Sequence, residues 1–374
     1  MSSPVWFITA ASSGFGHDIA LHALNLGHTV IATARSTSRV QDLADAGAHT
    51  LAFDVTSPLS DLEAIAKEVF SKHGRVDYLI NAAGYILDGA VEEVSQQELY
   101  DSFNTNVFGI FNTIKAFLPG MREQSIGQNG KRGTIATFGS IGSWRGGATY
   151  SVYSMAKTCV SSLAESLRYE LEPFSIVATV VEPGYFRTSF LNPGVRAVTK
   201  KRMDVYEDES TPTGKTRKAL EKTDNNQPGD VKKGTKVIVE VLTGTGVGEG
   251  RDVPVRIVLG SDADVYIRNH ELETLRAHCF DRQGPRNRIY IVLSTSSTDF
   301  SRTKGMYYFT PSLNLAERYA AWAKRREGVT SAVIARIAIW NSAIEEAIEP
   351  CLMYYFVQHR NLVMLDGPAS AVYL

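Results

Sequence analysis

At 374 residues the chain has length for one large domain and a small appendage. Its 39 Lys and Arg stand against 40 Asp and Glu, a formal net charge of −1, so it lacks the electrostatic footprint of a nucleic-acid or membrane-surface binder. No apolar run reaches the length of a membrane span, and three scattered cysteines (Cys159, Cys279, Cys351) make neither a metal spacing nor a disulfide framework.

In chain order, residues 5–8 (Val-Trp-Phe-Ile) are an apolar run of strand length that enters Thr9-Ala10-Ala11-Ser12-Ser13-Gly14-Phe15-Gly16. Ile19, Ala20, Ala23, Leu24 and Leu26 then recur at helical spacing, and Gly27 closes that helix before a second apolar strand at 29–33. Strand, glycine-bearing turn, helix and strand make half of a dinucleotide-binding unit. Glycines let backbone approach a pyrophosphate, and the helix N-terminus offers N–H groups and a favourable dipole. An ordinary tight turn would leave the same trace, so the turn by itself does not decide between the two.

Further strands are predicted at 51–55, which contains Asp54, and at 78–80, which leads into Asn81-Ala82-Ala83-Gly84. Asn104-Thr105-Asn106-Val107 comes next, then a strand at 133–138 with Ser140 just beyond it. Tyr153 and Lys157 lie four apart in a helical stretch and so project from one face. A free Tyr titrates near ~10. A nearby ammonium favours the phenolate and draws that value towards neutral pH. About one such spacing arises by chance in a chain of this length, and a plain helix surface accounts for the pair equally well in isolation. The strand at 176–181 precedes Pro183-Gly184, with Thr188 shortly after.

Together these residues resemble the short-chain dehydrogenase/reductase family over roughly residues 1–278. Thr9, Gly14 and Gly16 fall on its glycine motif, Asn81 to Gly84 on its Asn-Asn-Ala-Gly motif, and Pro183-Gly184 on its Pro-Gly motif. Ala10 departs from the pattern, standing where the family has its first glycine. The resemblance implies an α/β fold, a doubly wound parallel sheet of Rossmann type. It implies a catalytic set of Asn106, Ser140, Tyr153 and Lys157. Tyr153 would be the general acid or base, with its pKa lowered by Lys157. Ser140 would hydrogen-bond the substrate oxygen, and Asn106 would hold a water behind Lys157. Cofactor contacts would come from Thr9, Ser12, Ser13, Gly14, Phe15, Gly16, Asp54, Asn81, Tyr153, Lys157, Pro183, Gly184 and Thr188. The second strand ends in Thr33-Ala34-Arg35 without a carboxylate, so Arg35 is expected to clamp a 2′-phosphate, and the cofactor to be NADP(H).

Residues 187–230 are polar and turn-rich and are expected to form a rim or lid over the substrate pocket. Trp144, Phe186, Phe190 and Leu191 are its apolar candidates, pointing to a lipophilic carbonyl or alcohol. Residues 231–243 read as a helix, 254–260 as the last strand and 271–277 as a trailing helix. A polar break comes next, with a linker at 279–288 and a small α+β appendage at 289–374. Its strands are predicted at 289–293, 305–310 and 333–339 and a helix at 315–324. The run 305–319 faintly resembles ADP-ribosyltransferase-like domains, while Glu345 and Glu346 read as a solvated helix face. The expected protein is a cytoplasmic NADP-dependent oxidoreductase acting on a small molecule, with no nucleic-acid or membrane partner, no metal, and self-association as the one open partner. The alternatives are an NADP-binding regulator without turnover, or a bifunctional protein with an ADP-ribosyltransferase-like module.

Overall fold

The computed structural model describes residues 3–279 apart from 128 and 194, and three later strands. The chain divides into two compact units, Met1–Glu271 and Leu272–Leu374. In the first, the strands in chain order are β1 (Val5–Ile8), β2 (Thr29–Ala34), β3 (His49–Ala52), β4 (Tyr78–Asn81), β5 (Leu87–Asp88), β6 (Gly133–Phe138), β7 (Ile176–Pro183), β8 (Ala197–Val198) and β9 (Arg256–Leu259). The main helices are α1 (Gly14–Asn25), α2 (Gln41–Asp45), α3 (Leu59–His73), α4 (Gln96–Phe103), α5 (Gly109–Glu123), α6 (Ser151–Glu170), α7 (Asp204–Glu207), α8 (Pro212–Thr223), α9 (Val231–Thr243) and α10 (Ser261–Cys279).

Seven strands form one parallel sheet in the order β3-β2-β1-β4-β6-β7-β9, a doubly wound α/β arrangement. The order reverses between β1 and β4, and ligands in such sheets bind outside the carboxyl ends at that reversal. Helices cover both faces. This is why β1 is apolar at every position: alternate side chains go to opposite faces, and both are buried. Phe7 packs with Leu79, Phe117 and Ile135 in one core, while Trp6 and Ile8 pack with Ile80, Ile238 and Leu242 in the other. The Trp6 indole stacks on Tyr78 at 4.0 Å and donates to His28 Nδ1.

One local departure from expectation has a simple cause. β3 spans His49–Ala52 rather than 51–55: it is the half-exposed edge strand, and Phe53 and Val55 are buried from the loop beyond it. Cys159 is free and exposed on α6. Between α4 and α5 the chain makes one π-helical turn, Asn104–Phe108. Such a wide turn is rare and resets the helical register locally; Asn106 lies in it.

In the second unit, Arg288–Ser294 is the central strand of a three-stranded antiparallel sheet, flanked by Met306–Thr310 and Val333–Ala338. The helix expected at 315–324 and the Glu345/Glu346 pair lie outside the described residues.

Candidate active site

The loops that leave β1, β4, β6 and β7 converge at the carboxyl edge of the sheet around a cavity of about 280 Å³. Ser13, Gly14, Phe15, Gly16, Ser140, Tyr153, Lys157, Pro183, Gly184 and Thr188, all predicted from the sequence, line it. The β1–α1 turn is shaped by three residues. Ala10 adopts φ 51° and Gly14 φ 58°, both left-handed, and a Cβ on Gly16 would lie 2.8 Å from the Ala10 carbonyl oxygen. Ala10 therefore takes the backbone conformation that its glycine-like position demands, at a cost of roughly 1 kcal/mol for a residue with a Cβ.

Thr9 does not face the cavity. It is fully buried, and its hydroxyl accepts from the Ala82 and Ala83 amides, tying the end of β1 to the end of β4. Ser12 and Asn81 also lie off the cavity wall, and Asn81 is buried with both side-chain amide atoms unpartnered. Asp54 accepts from the Thr56 amide and hydroxyl, a local turn. Arg35 is exposed after β2 and, among the described residues, makes no hydrogen bond or ion pair.

Tyr153 and Lys157 project from the first turns of α6, both buried. Burial pushes the Tyr153 phenol up to about 12; its hydrogen bond with Ser140 pulls the other way, and Tyr185 adds to the rise. Burial pushes Lys157 down to about 8. Lys157 donates to the Phe138 carbonyl at 2.8 Å and sits 5.7 Å from the Tyr153 ring centre. The expected lowering of Tyr153 by Lys157 is thus overridden: desolvation of the phenol is the larger effect here. Asn106 is fully buried, donating to the Ser102 and Tyr85 carbonyls and accepting from the Tyr85 amide. A Cβ on Gly84 would lie 2.7 Å from Asn106 Oδ1 and 3.0 Å from Lys157 Nζ, so that glycine keeps open the gap between the two groups.

The Pro183–Gly184 corner is braced by Asp262 at the start of α10, which accepts from the Tyr185 amide at 2.7 Å. Phe186 packs edge-on to Phe15 at 5.2 Å, and Phe190 lies 5.8 Å from Tyr153. Phe186, Phe190 and Leu191 line the cavity as expected; Trp144 does not. Its indole N–H donates to buried Glu182 at 2.8 Å, and Arg256 lies over its ring at 4.7 Å. A half-buried indole still needs an acceptor, and Glu182 supplies it from β7.

Residues 187–230 cover the cavity with Leu191, Val195, Leu220 and Gln227. They are held by a buried ion cluster that sequence reading missed. Arg217 of α8 pairs with Glu93 and reaches Asp88 at 3.4 Å, and Arg202 reaches Asp88 at 3.3 Å. Thr149 donates to Asp88, while the Met203 and Ala90 amides donate to Glu93. β8 pairs with β5 beside this cluster.

Such a fold and such a wall define a dinucleotide-type α/β enzyme site, and comparison with known proteins gives it a family. The short chain dehydrogenase family model matches residues 4–197. The chain is 32% identical over 265 residues to an oxidoreductase, BOA17, of Botryotinia fuckeliana, covering 70% of this chain and 90% of that protein. It is 36% identical over 205 residues to a 3-ketodihydrosphingosine reductase of Bacteroides thetaiotaomicron, covering 54% and 72%. A short-chain dehydrogenase from Streptomyces avermitilis superposes with a TM-score of 0.63 at 35% identity, covering 74% of this chain and 95% of that one. The chain belongs to the short-chain dehydrogenase family of oxidoreductases. The ADP-ribosyltransferase-like likeness of the C-terminal extension gains no support from these comparisons.

Proposed function

We propose that the protein reduces the carbonyl of a lipophilic, ring-bearing small molecule with NADP(H), Tyr153 delivering the proton. The observation that carries this reading is the Tyr153 phenol, set with Ser140 on the wall of a largely apolar cavity with Lys157 beside it. Burial keeps Tyr153 in the phenol form through neutral pH. A phenol is the form that a developing alkoxide can take a proton from. Ser140 can donate to the same substrate oxygen as its charge builds. The Lys157 ammonium, still largely charged at pH 7, offsets the charge left on Tyr153 after transfer.

The residues present fit a nicotinamide dinucleotide. Gly14, Gly16 and Gly84 line the cavity without side chains, so a ligand can approach the backbone there, and the Asn81 amide is an orphan at the end of β4. Ser13 and Gly14 would hold the pyrophosphate at the N-terminus of α1, Asp54 and Asn81 the adenosine side, and Thr188 and Lys157 the nicotinamide side. When bound, the cofactor supplies the hydride. Exposed Arg35, with no ion-pair partner among the described residues, suits a 2′-phosphate.

No helix among the described residues is long and apolar enough to cross a membrane. We place the protein in the cytoplasm. Tyr100, Phe108, Phe111 and Met155 expose apolar surface along α4 to α6, and self-association is proposed through them. Turnover of NADPH with a panel of aromatic ketones, wild type against Tyr153→Phe, tests the central reading. The variant is expected to lose about 10²- to 10⁴-fold in kcat while retaining NADPH affinity. NADPH binding by both proteins with turnover by neither would favour a regulator.

A further inference from the structure

One polar group on the cavity wall has no part in the proposed reaction. Gln227 is 1% exposed and lines the cavity, yet neither its Oε1 nor its Nε2 has a hydrogen-bond partner. Buried amides are nearly always paired, because leaving one unpaired forfeits its hydration without return. Slack backbone does not account for the orphan. The Gln227 carbonyl accepts from Arg187 Nη2 at 3.1 Å, and Gly229, two residues on, exchanges hydrogen bonds with the Tyr185 carbonyl and the Arg187 amide. The side chain is therefore carried on a fixed strap with its amide uncommitted. Nearby on the same segment, Leu220 packs with Ile86, Tyr153 and Leu191, which makes this stretch part of the wall around the reacting phenol.

We propose that Gln227 is a specificity-determining residue that reads a second polar group on the substrate. This rests on the reductase reading and narrows its substrate class. The amide offers one acceptor and a donor side by side, so its complement must also donate and accept: a hydroxyl or a carboxamide. Set in a wall of Ile86, Leu191, Leu220, Phe190 and Tyr150, the site suits an aromatic ketone bearing such a group besides the carbonyl that Ser140 and Tyr153 engage. A site built to hydrogen-bond a polar group rejects the analogue that lacks it far more strongly than an apolar pocket rejects a missing methylene.

The test uses two ketones that differ by one hydroxyl, 2-acetylnaphthalene and 6-acetyl-2-naphthol. Their binding to the NADP+ complex, which has no hydride to give, is measured by calorimetry for wild type and Gln227→Met. Wild type is expected to prefer the hydroxylated ketone by about tenfold or more. Gln227→Met should abolish that preference, leave the NADPH dissociation constant unchanged and raise the Tm of the free protein, since an orphan amide is replaced by an apolar chain of similar size. A structural glutamine would do the reverse to Tm. Three results each overturn the proposal: equal binding of the two ketones by wild type, an undiminished preference in the variant, or a parallel loss of NADPH affinity, which would assign the amide to the cofactor. Should the methionine variant not fold, Gln227→Leu carries the same affinity readouts. Calorimetry needs no turnover, so a clear preference without NADPH oxidation would refute the reductase reading while leaving the role of Gln227 intact.

Discussion

Lys157→Met separates what Lys157 does for chemistry from what it costs the fold. Burial moves its titration from 10.5 to about 8. At ~1.4 kcal/mol per pH unit, that corresponds to about 3 kcal/mol of native-state penalty. The sign comes from the direction. The folded protein binds this proton less tightly than the unfolded chain, so the penalty is full below pH 8, shrinks between pH 8 and 10.5, and vanishes above. Methionine removes the penalty but also forfeits the hydrogen bond to the Phe138 carbonyl, worth about 1–2 kcal/mol. At pH 7 the variant should therefore be inactive yet more stable by about 1–2 kcal/mol, or ~2–4 °C in Tm for each kcal/mol. Its advantage should fall by about 3 kcal/mol as pH rises from 7 to 10.5, ending as a small deficit. Tyr153 titrates in both proteins and largely cancels in the difference. Urea unfolding of wild type and variant at pH 7 and pH 10.5 is the assay. A variant less stable than wild type by the same margin at both pH values would refute the reasoning, because the buried ammonium would then be a net stabiliser.

Other predictions concern the cofactor end and the lid. Arg35→Ala should weaken NADPH binding by about 10- to 100-fold, the loss of a charge-assisted pair, and leave NADH binding unchanged; fluorescence titration with both cofactors checks it. Ala10→Gly should relieve left-handed strain while adding unfolded-chain entropy, a net gain of about 0–1 kcal/mol with no loss of cofactor affinity. Arg217→Leu leaves Asp88 and Glu93 buried without their main counter-charge. It should cost about 3–5 kcal/mol by urea unfolding and raise KM for ketone substrates through a loosened lid.

The sequence made the sheet legible because parallel strands buried on both faces read as unbroken apolar runs, as β1 does. It failed at β3, where an edge strand has no such run and burial continues into the loop. Ser140, Tyr153 and Lys157 were visible as residues at fixed intervals, but their protonation behaviour was not, since desolvation depends on everything packed around α6. Trp144 looked like a substrate contact because apolar character alone does not reveal that the indole N–H is committed to Glu182. The ion cluster was invisible for a different reason. Arg217 lies 124 residues from Glu93 and 129 from Asp88, and no local pattern links them. Gln227 stood inside a turn signal, Asn225-Asn226-Gln227-Pro228-Gly229, that predicts a bend and says nothing of the amide.

The clamp on residues 187–230 also bears on how such a protein changes its trade over evolutionary time. Asp88, Glu93, Arg202 and Arg217 fasten the segment; Phe190, Leu191, Leu220 and Gln227 form the surface it turns to the cavity. The two sets share no residue, although α8 carries a member of each within one turn. Substitutions among the second set can therefore accumulate without disturbing attachment. A lineage can drift from one substrate to another through a few side chains, inheriting the mounting unaltered, and the same partition marks where a protein engineer should randomise and where not.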